Sequence, residues 1–101
     1  MKTILVTEPE YFDDESLKIL RGAGNVIAQR FTRKELERKI SKADALLVRV
    51  ETQVDKALLS KTEKLKVIGS ATTGLNHIAV GFAKKRNIQV INLHGTHASS
   101  N

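Results

Sequence analysis

The sequence predicts an α/β protein built on a single parallel sheet, and three features of the chain predict it. Five short runs, at residues 3–7, 25–28, 45–48, 66–69 and 89–92, are rich in Val, Ile or Leu. Four segments with helical spacing lie between them, most with readable cap residues, and the connecting loops are short. Near-continuous apolar runs mark strands covered on both faces. Strict alternation of strand and helix implies parallel strands joined by right-handed crossovers. For five strands the natural order is 2-1-3-4-5, so the expected architecture is a flavodoxin-like three-layer unit with a five-stranded parallel sheet. At 101 residues the chain has material for one domain with one core.

Each element can be justified in turn. Asp13 or Asp14 caps the first helix, which turns Leu17 and Leu20 inward and stops at Gly22. Thr32 and Glu35 have capping-box spacing and open the second, with Leu36 and Ile40 on one face. Thr52 with Asp55 opens the third and buries Val54 and Leu58. Asn76 is the expected cap of the fourth, which turns Val80 and Ala83 inward, and Asn87 suits a left-handed position at its end. No internal repeat or low-complexity tract interrupts the pattern. The polar stretch from His94 to Asn101 reads as a segment leaving the domain, and the helix needed to cover the far side of the fifth strand is not in the sequence.

Composition excludes several functions. There is no cysteine, which removes disulfides, thiolate catalysis and Cys-ligated zinc. No apolar run reaches the ~18 residues of a membrane span, and the apolar start at residues 4–6 is too short for a secretory core. The expected location is the cytoplasm, with no membrane partner. The net charge of +6 and a pI near 9.8 raise the question of a nucleic-acid partner. The basic residues are mixed with acids, as in Arg33-Lys34-Glu35-Leu36-Glu37-Arg38-Lys39, and the dense cluster Lys84-Lys85-Arg86 falls where cations complement a helix dipole. Only four aromatic residues are present, with no base-stacking pattern. No nucleic-acid partner is expected.

Ligands of open α/β sheets bind outside the carboxyl ends of the strands. The most informative loop there is Ser70-Ala71-Thr72-Thr73-Gly74-Leu75-Asn76. Its small residues let a ligand approach the backbone, and amides at a helix start attract anions. Thr72, Thr73 and Gly74 are therefore candidates for binding a carboxylate or phosphate, although an ordinary tight turn would look the same. Arg49 follows the third strand directly and can aim its planar fork at the same anion, unless it pairs with nearby Glu51. His77, His94 and His97 have no metal-site spacing, and no metal is expected. Gly22-Ala23-Gly24 follows a helix rather than a strand, so it is a turn and not a dinucleotide fingerprint.

The stretch Leu65-Lys66-Val67-Ile68-Gly69-Ser70-Ala71-Thr72-Thr73-Gly74-Leu75-Asn76-His77-Ile78 resembles the signature of the NAD-dependent D-2-hydroxyacid dehydrogenases, which include phosphoglycerate and glycerate dehydrogenases, glyoxylate reductase and formate dehydrogenase. Residues 2–9, 43–49 and 84–92 resemble other parts of the same family, so the likeness covers nearly the whole chain. The resemblance implies hydride transfer between NAD(H) and a small 2-hydroxy or 2-oxo acid. It implies that Thr72, Thr73 and Gly74 offer backbone amides to the substrate carboxylate, that Thr73 lies close to the nicotinamide of the cofactor, and that Arg49 contacts substrate. It places Asn92 and Ser100 at the crossing into a nucleotide-binding domain. On this reading residues 1–93 form the substrate-binding domain and 94–101 begin the crossing. Asn76 and Ala79 depart from a pattern that usually has Asp at both positions, and His77 stands where Asn is common. The nucleotide fingerprint, the catalytic arginine, its supporting glutamate and the acid–base histidine would all lie beyond position 101. None of the 101 residues is thus expected to be catalytic, NAD is not expected to bind this chain tightly, and the full-length parent is expected to be a homodimer. Uncovered apolar surface makes self-association of the chain alone an expectation too. The alternatives are a free-standing flavodoxin-like binding module without catalysis, and a phosphoacceptor receiver domain. The latter needs an aspartate where Arg49 stands.

Overall fold

The computed structural model describes residues 2–72 and 74–92. Five strands, β1 (Thr3–Val6), β2 (Asn25–Ala28), β3 (Ala45–Val48), β4 (Val67–Ser70) and β5 (Gln89–Asn92), alternate with four helices, α1 (Asp14–Ala23), α2 (Arg33–Lys39), α3 (Lys56–Leu59) and α4 (Val80–Lys85). All the strand pairs are parallel and the order is β2-β1-β3-β4-β5, as the alternation predicts. The chain therefore moves outward in both directions from β1, and the carboxyl ends of β1, β3 and β4 lie side by side.

The alternating side chains of the strands feed two cores. Leu5, Leu46, Val48 and Ile68 face one side with Leu36, Ile40, Leu58, Leu59 and Ala83 from the α2, α3 and α4 regions. Ile4 and Val6 face the other, where Leu17 of α1 packs and Ala45 and Leu47 are only partly buried. Helices thus cover both faces, three on one side and one on the other. The single-helix side leaves two apolar troughs, one lined by Phe12, Ile19, Leu20 and Leu47 and one by Ile4, Ala23, Ala45 and Val67.

Local signals account for most of the element ends. The Asp13 side chain accepts from the Ser16 amide at 2.7 Å and starts α1. Thr32 and Glu35 form both halves of the capping box. Asn87 adopts φ 61° after α4, the left-handed conformation that asparagine tolerates. Three expectations need correction. The helix α1 runs past Gly22 to Ala23, with Gly24 as its cap, because a Cβ at Gly24 would come within 2.5 Å of the Lys2 carbonyl oxygen and only glycine fits beside β1 there. Thr52 does not open α3. Asp55 alone caps it, accepting from the Leu58 amide at 2.9 Å, and Thr52 turns instead to Glu8. Asn76 does not cap α4, which begins only at Val80. The residues between are drawn into a bridge with Val54, whose amide donates to His77 O and whose carbonyl accepts from Ala79 N, both at 2.8 Å.

Candidate functional site

A cleft of about 340 Å³ opens at the carboxyl ends of β3 and β4, lined by Arg49, Val50, Ala71, Thr72, Gly74, Asn76 and His77. Arg49, Thr72 and Gly74, singled out from the sequence, are brought together there. Thr73, also singled out, lies outside the described residues, as do Ser100, His94 and His97.

Arg49 leaves the end of β3, and its Nε donates to the Ala71 carbonyl at 3.1 Å. Its guanidinium carbon sits 4.4 Å from the centre of the Tyr11 ring, a cation–π contact that orients the planar fork. No salt bridge joins it to Glu51, although its charge is one of the lesser causes that lower the Glu51 pKa. That carboxylate accepts from Arg30 at 2.9 Å and from the Tyr11 hydroxyl at 3.1 Å, and the Arg30 contact is the leading cause of its lowered pKa. The Tyr11 phenol is raised in turn, chiefly by its hydrogen bond to Glu51. Arg30 is held on its other side by Glu10. The Arg49 side chain therefore makes no salt bridge to a carboxylate among the described residues.

The loop that carries Arg49 is organised by a residue the sequence did not advertise. Glu8, directly after the β1–β3 contact region, is completely buried. Its carboxylate accepts from the amides of Arg49 at 2.7 Å, Glu51 at 3.3 Å and Thr52 at 3.1 Å, and from the Thr52 hydroxyl at 2.8 Å. Three backbone donors and a hydroxyl are about what one carboxylate can satisfy, so a charge that would be costly alone is compensated. A lone Glu before Pro9 carries no periodic signal. Its position at a strand's carboxyl end was the available hint.

On the β4 side, Ser70 is fully buried and Thr72 is 5% exposed. The Thr72 hydroxyl donates to the Gly74 carbonyl, Ser70 Oγ lies 2.8 Å from Thr72 Oγ1, and His77 Nε2 lies 2.9 Å from Ser70 Oγ. The His77 pKa is lowered because burial penalises the imidazolium, with the Glu8 charge opposing that effect. Burial thus favours the neutral ring. The Ala71 amide donates to Val48 O at 3.1 Å, which ties the turn to β3. The arrangement offers a cation and polar groups to a small anion beside exposed Gly74.

The glycines at 22 and 24 sit at the end of α1, which leads into the amino end of β2, away from the cleft. No group of three or more His, Asp or Glu suited to a metal ion occurs among the described residues, and none of their helices is long and apolar enough to cross a membrane.

Residues 4–100 match the family model described as D-isomer specific 2-hydroxyacid dehydrogenase, catalytic domain. The chain is 43% identical over 93 residues to the D-3-phosphoglycerate dehydrogenase of Methanocaldococcus jannaschii, with 91% of this chain and 17% of that protein covered. It is 42% identical over 62 residues to the erythronate-4-phosphate dehydrogenase of Shewanella amazonensis, covering 61% of this chain and 16% of that protein. Among solved structures, the PH0520 protein of Pyrococcus horikoshii superposes with a TM-score of 0.82 at 26% identity, covering 89% of this chain and 27% of that one. The NAD+-bound 3-phosphoglycerate dehydrogenase of Entamoeba histolytica does so with a TM-score of 0.75 at 25% identity, covering 88% and 32%. The chain thus spans about a sixth of the length of these two curated relatives. With the family model matched along almost its whole length, the chain belongs to the D-isomer specific 2-hydroxyacid dehydrogenases.

Proposed function

We propose that this chain is the substrate-binding part of an NAD-dependent D-2-hydroxyacid dehydrogenase, and that Arg49, Thr72, Thr73 and Gly74 receive the carboxylate of a small 2-hydroxy or 2-oxo acid. The observation that carries this reading is the placement of Arg49, tied by Nε to the Ala71 carbonyl and without a salt bridge to a carboxylate among the described residues, at the mouth of the turn. A guanidinium so fixed favours a planar anion. In the assembled enzyme the nicotinamide would carry the hydride, with Thr73 near it. The groups that polarise the carbonyl and move the proton would come from another part of the enzyme. Residues 1–93 would form the substrate-binding domain, and 94–101, with Asn92 before them, the start of the crossing. A cytoplasmic homodimer without nucleic-acid partners completes the proposal. For the chain alone, the apolar troughs beside α1 favour self-association.

The test is a titration of the isotope-labelled chain with glycolate, followed by backbone amide shifts. We expect shifts confined to Arg49 and the segment around Ala71, Thr72 and Gly74, reduced at least ~tenfold in affinity by Arg49→Gln, as for loss of a charge-assisted hydrogen bond. The same chain should not oxidise NADH with glyoxylate. Shifts elsewhere, or no dependence on Arg49, would reject the assignment.

A further inference from the structure

At the base of the cleft Ser70, Thr72 and His77 form a hydrogen-bonded chain whose direction follows from counting protons. The Thr72 hydroxyl donates to the Gly74 carbonyl, which can only accept, so its one proton is committed. The contact between Ser70 Oγ and Thr72 Oγ1, 2.8 Å, must then be donated by Ser70. That uses the single serine proton. The remaining contact, 2.9 Å between Ser70 Oγ and His77 Nε2, must be donated by the ring. Nε2 therefore carries hydrogen, and in the neutral imidazole Nδ1 is bare. With Ser70 fully buried and Thr72 nearly so, water is poorly placed to substitute for either link.

We propose that His77 is a positioning residue for acid binding, acting from Nε2 through Ser70 and Thr72 onto the Gly74 carbonyl and so fixing the wall of the cleft beside Arg49. This rests on the reading of that cleft as the acid site. The ring is itself held at its backbone, where His77 O accepts from the Val54 amide at 2.8 Å, so the chain of bonds runs from the α3 approach to the turn. Because Nε2 donates in both the neutral and the protonated ring, the connection is kept when His77 titrates. A glutamine side chain offers an N–H donor and can replace it; phenylalanine cannot.

The experiment is a long-range nitrogen–proton correlation spectrum of the imidazole in the 101-residue chain, paired with glycolate titrations of three variants. We expect a protonated Nε2 and bare Nδ1 at neutral pH. Ser70→Ala and His77→Phe should each weaken glycolate binding by ~tenfold, about the worth of one buried hydrogen bond, and His77→Gln should recover most of it. A proton on Nδ1 in the wild-type chain overturns the proposal even if a variant fails to fold, and so does wild-type affinity in folded His77→Phe. A wild-type chain with the expected tautomer that does not respond to glycolate contradicts the acid-site reading instead.

Discussion

Two side chains decide how the cleft is held, and neither announces itself by periodicity. Glu8 gathers three amides and a hydroxyl from the loop after β3. Removing its carboxylate orphans those donors, and unsatisfied buried donors cost about 1–3 kcal/mol each before water reaches them. We predict that Glu8→Ala lowers unfolding stability by roughly 3 kcal/mol in urea titrations and loosens the Arg49 loop. A cost near zero would mean the loop is held otherwise. His77 makes a pH prediction. Its folded-state pKa lies below the ordinary histidine value, mainly through burial. The unfolded chain therefore takes up a proton near pH ~6.5 while the folded chain does not. Stability should fall as pH drops from ~6.5 towards the folded pKa and level off below it. Asp44 and Asp55, lowered mainly by backbone hydrogen bonds to Thr3 and Leu58, lose their contribution only at lower pH, as it falls through their folded pKa values. Unfolding free energies of wild type and His77→Gln at several pH values check the sign. The variant should lose the slope just below the ordinary histidine pKa of ~6.5, and an unchanged slope would refute the assignment.

At the scale of elements, the sequence was most readable where the signal is local. Apolar runs located all five strands, three of them with the observed limits, because a strand buried on both faces must be apolar throughout. Capping chemistry located the starts of α1 and α2 for the same reason: donor and acceptor lie within three residues. The misreadings at Thr52 and Asn76 were both long-range. Thr52 is claimed by Glu8, 44 residues away, and the segment after Asn76 is claimed by Val54. No short window contains either partner. Gly24 gives a test at this scale. Gly24→Ala forces a Cβ against the Lys2 carbonyl, and the α1–β2 junction cannot yield without moving β1. We expect a loss of about 1–3 kcal/mol, against a negligible effect for Gly22→Ala, where nothing lies within 4 Å. Equal effects at the two positions would show that the contact is relieved elsewhere.

For the molecule as a whole, the strand order brings the ends of β3 and β4 together, and with them Arg49 and the turn that carries Thr72 and Gly74. The topology and these candidate residues were legible in the sequence because both rest on local patterns and on the rule that ligands gather at strand carboxyl ends. The internal supports of the cleft, Glu8 and the His77 relay, were not, since burial and proton direction depend on contacts distant in sequence. The most direct test of the account is a crystal structure of this chain grown with glycolate. The account predicts the carboxylate between the Arg49 guanidinium and the backbone around Thr72 and Gly74. It is contradicted if the acid binds elsewhere, or if Arg49 swings away to pair with Glu51 and leaves the turn without a cation.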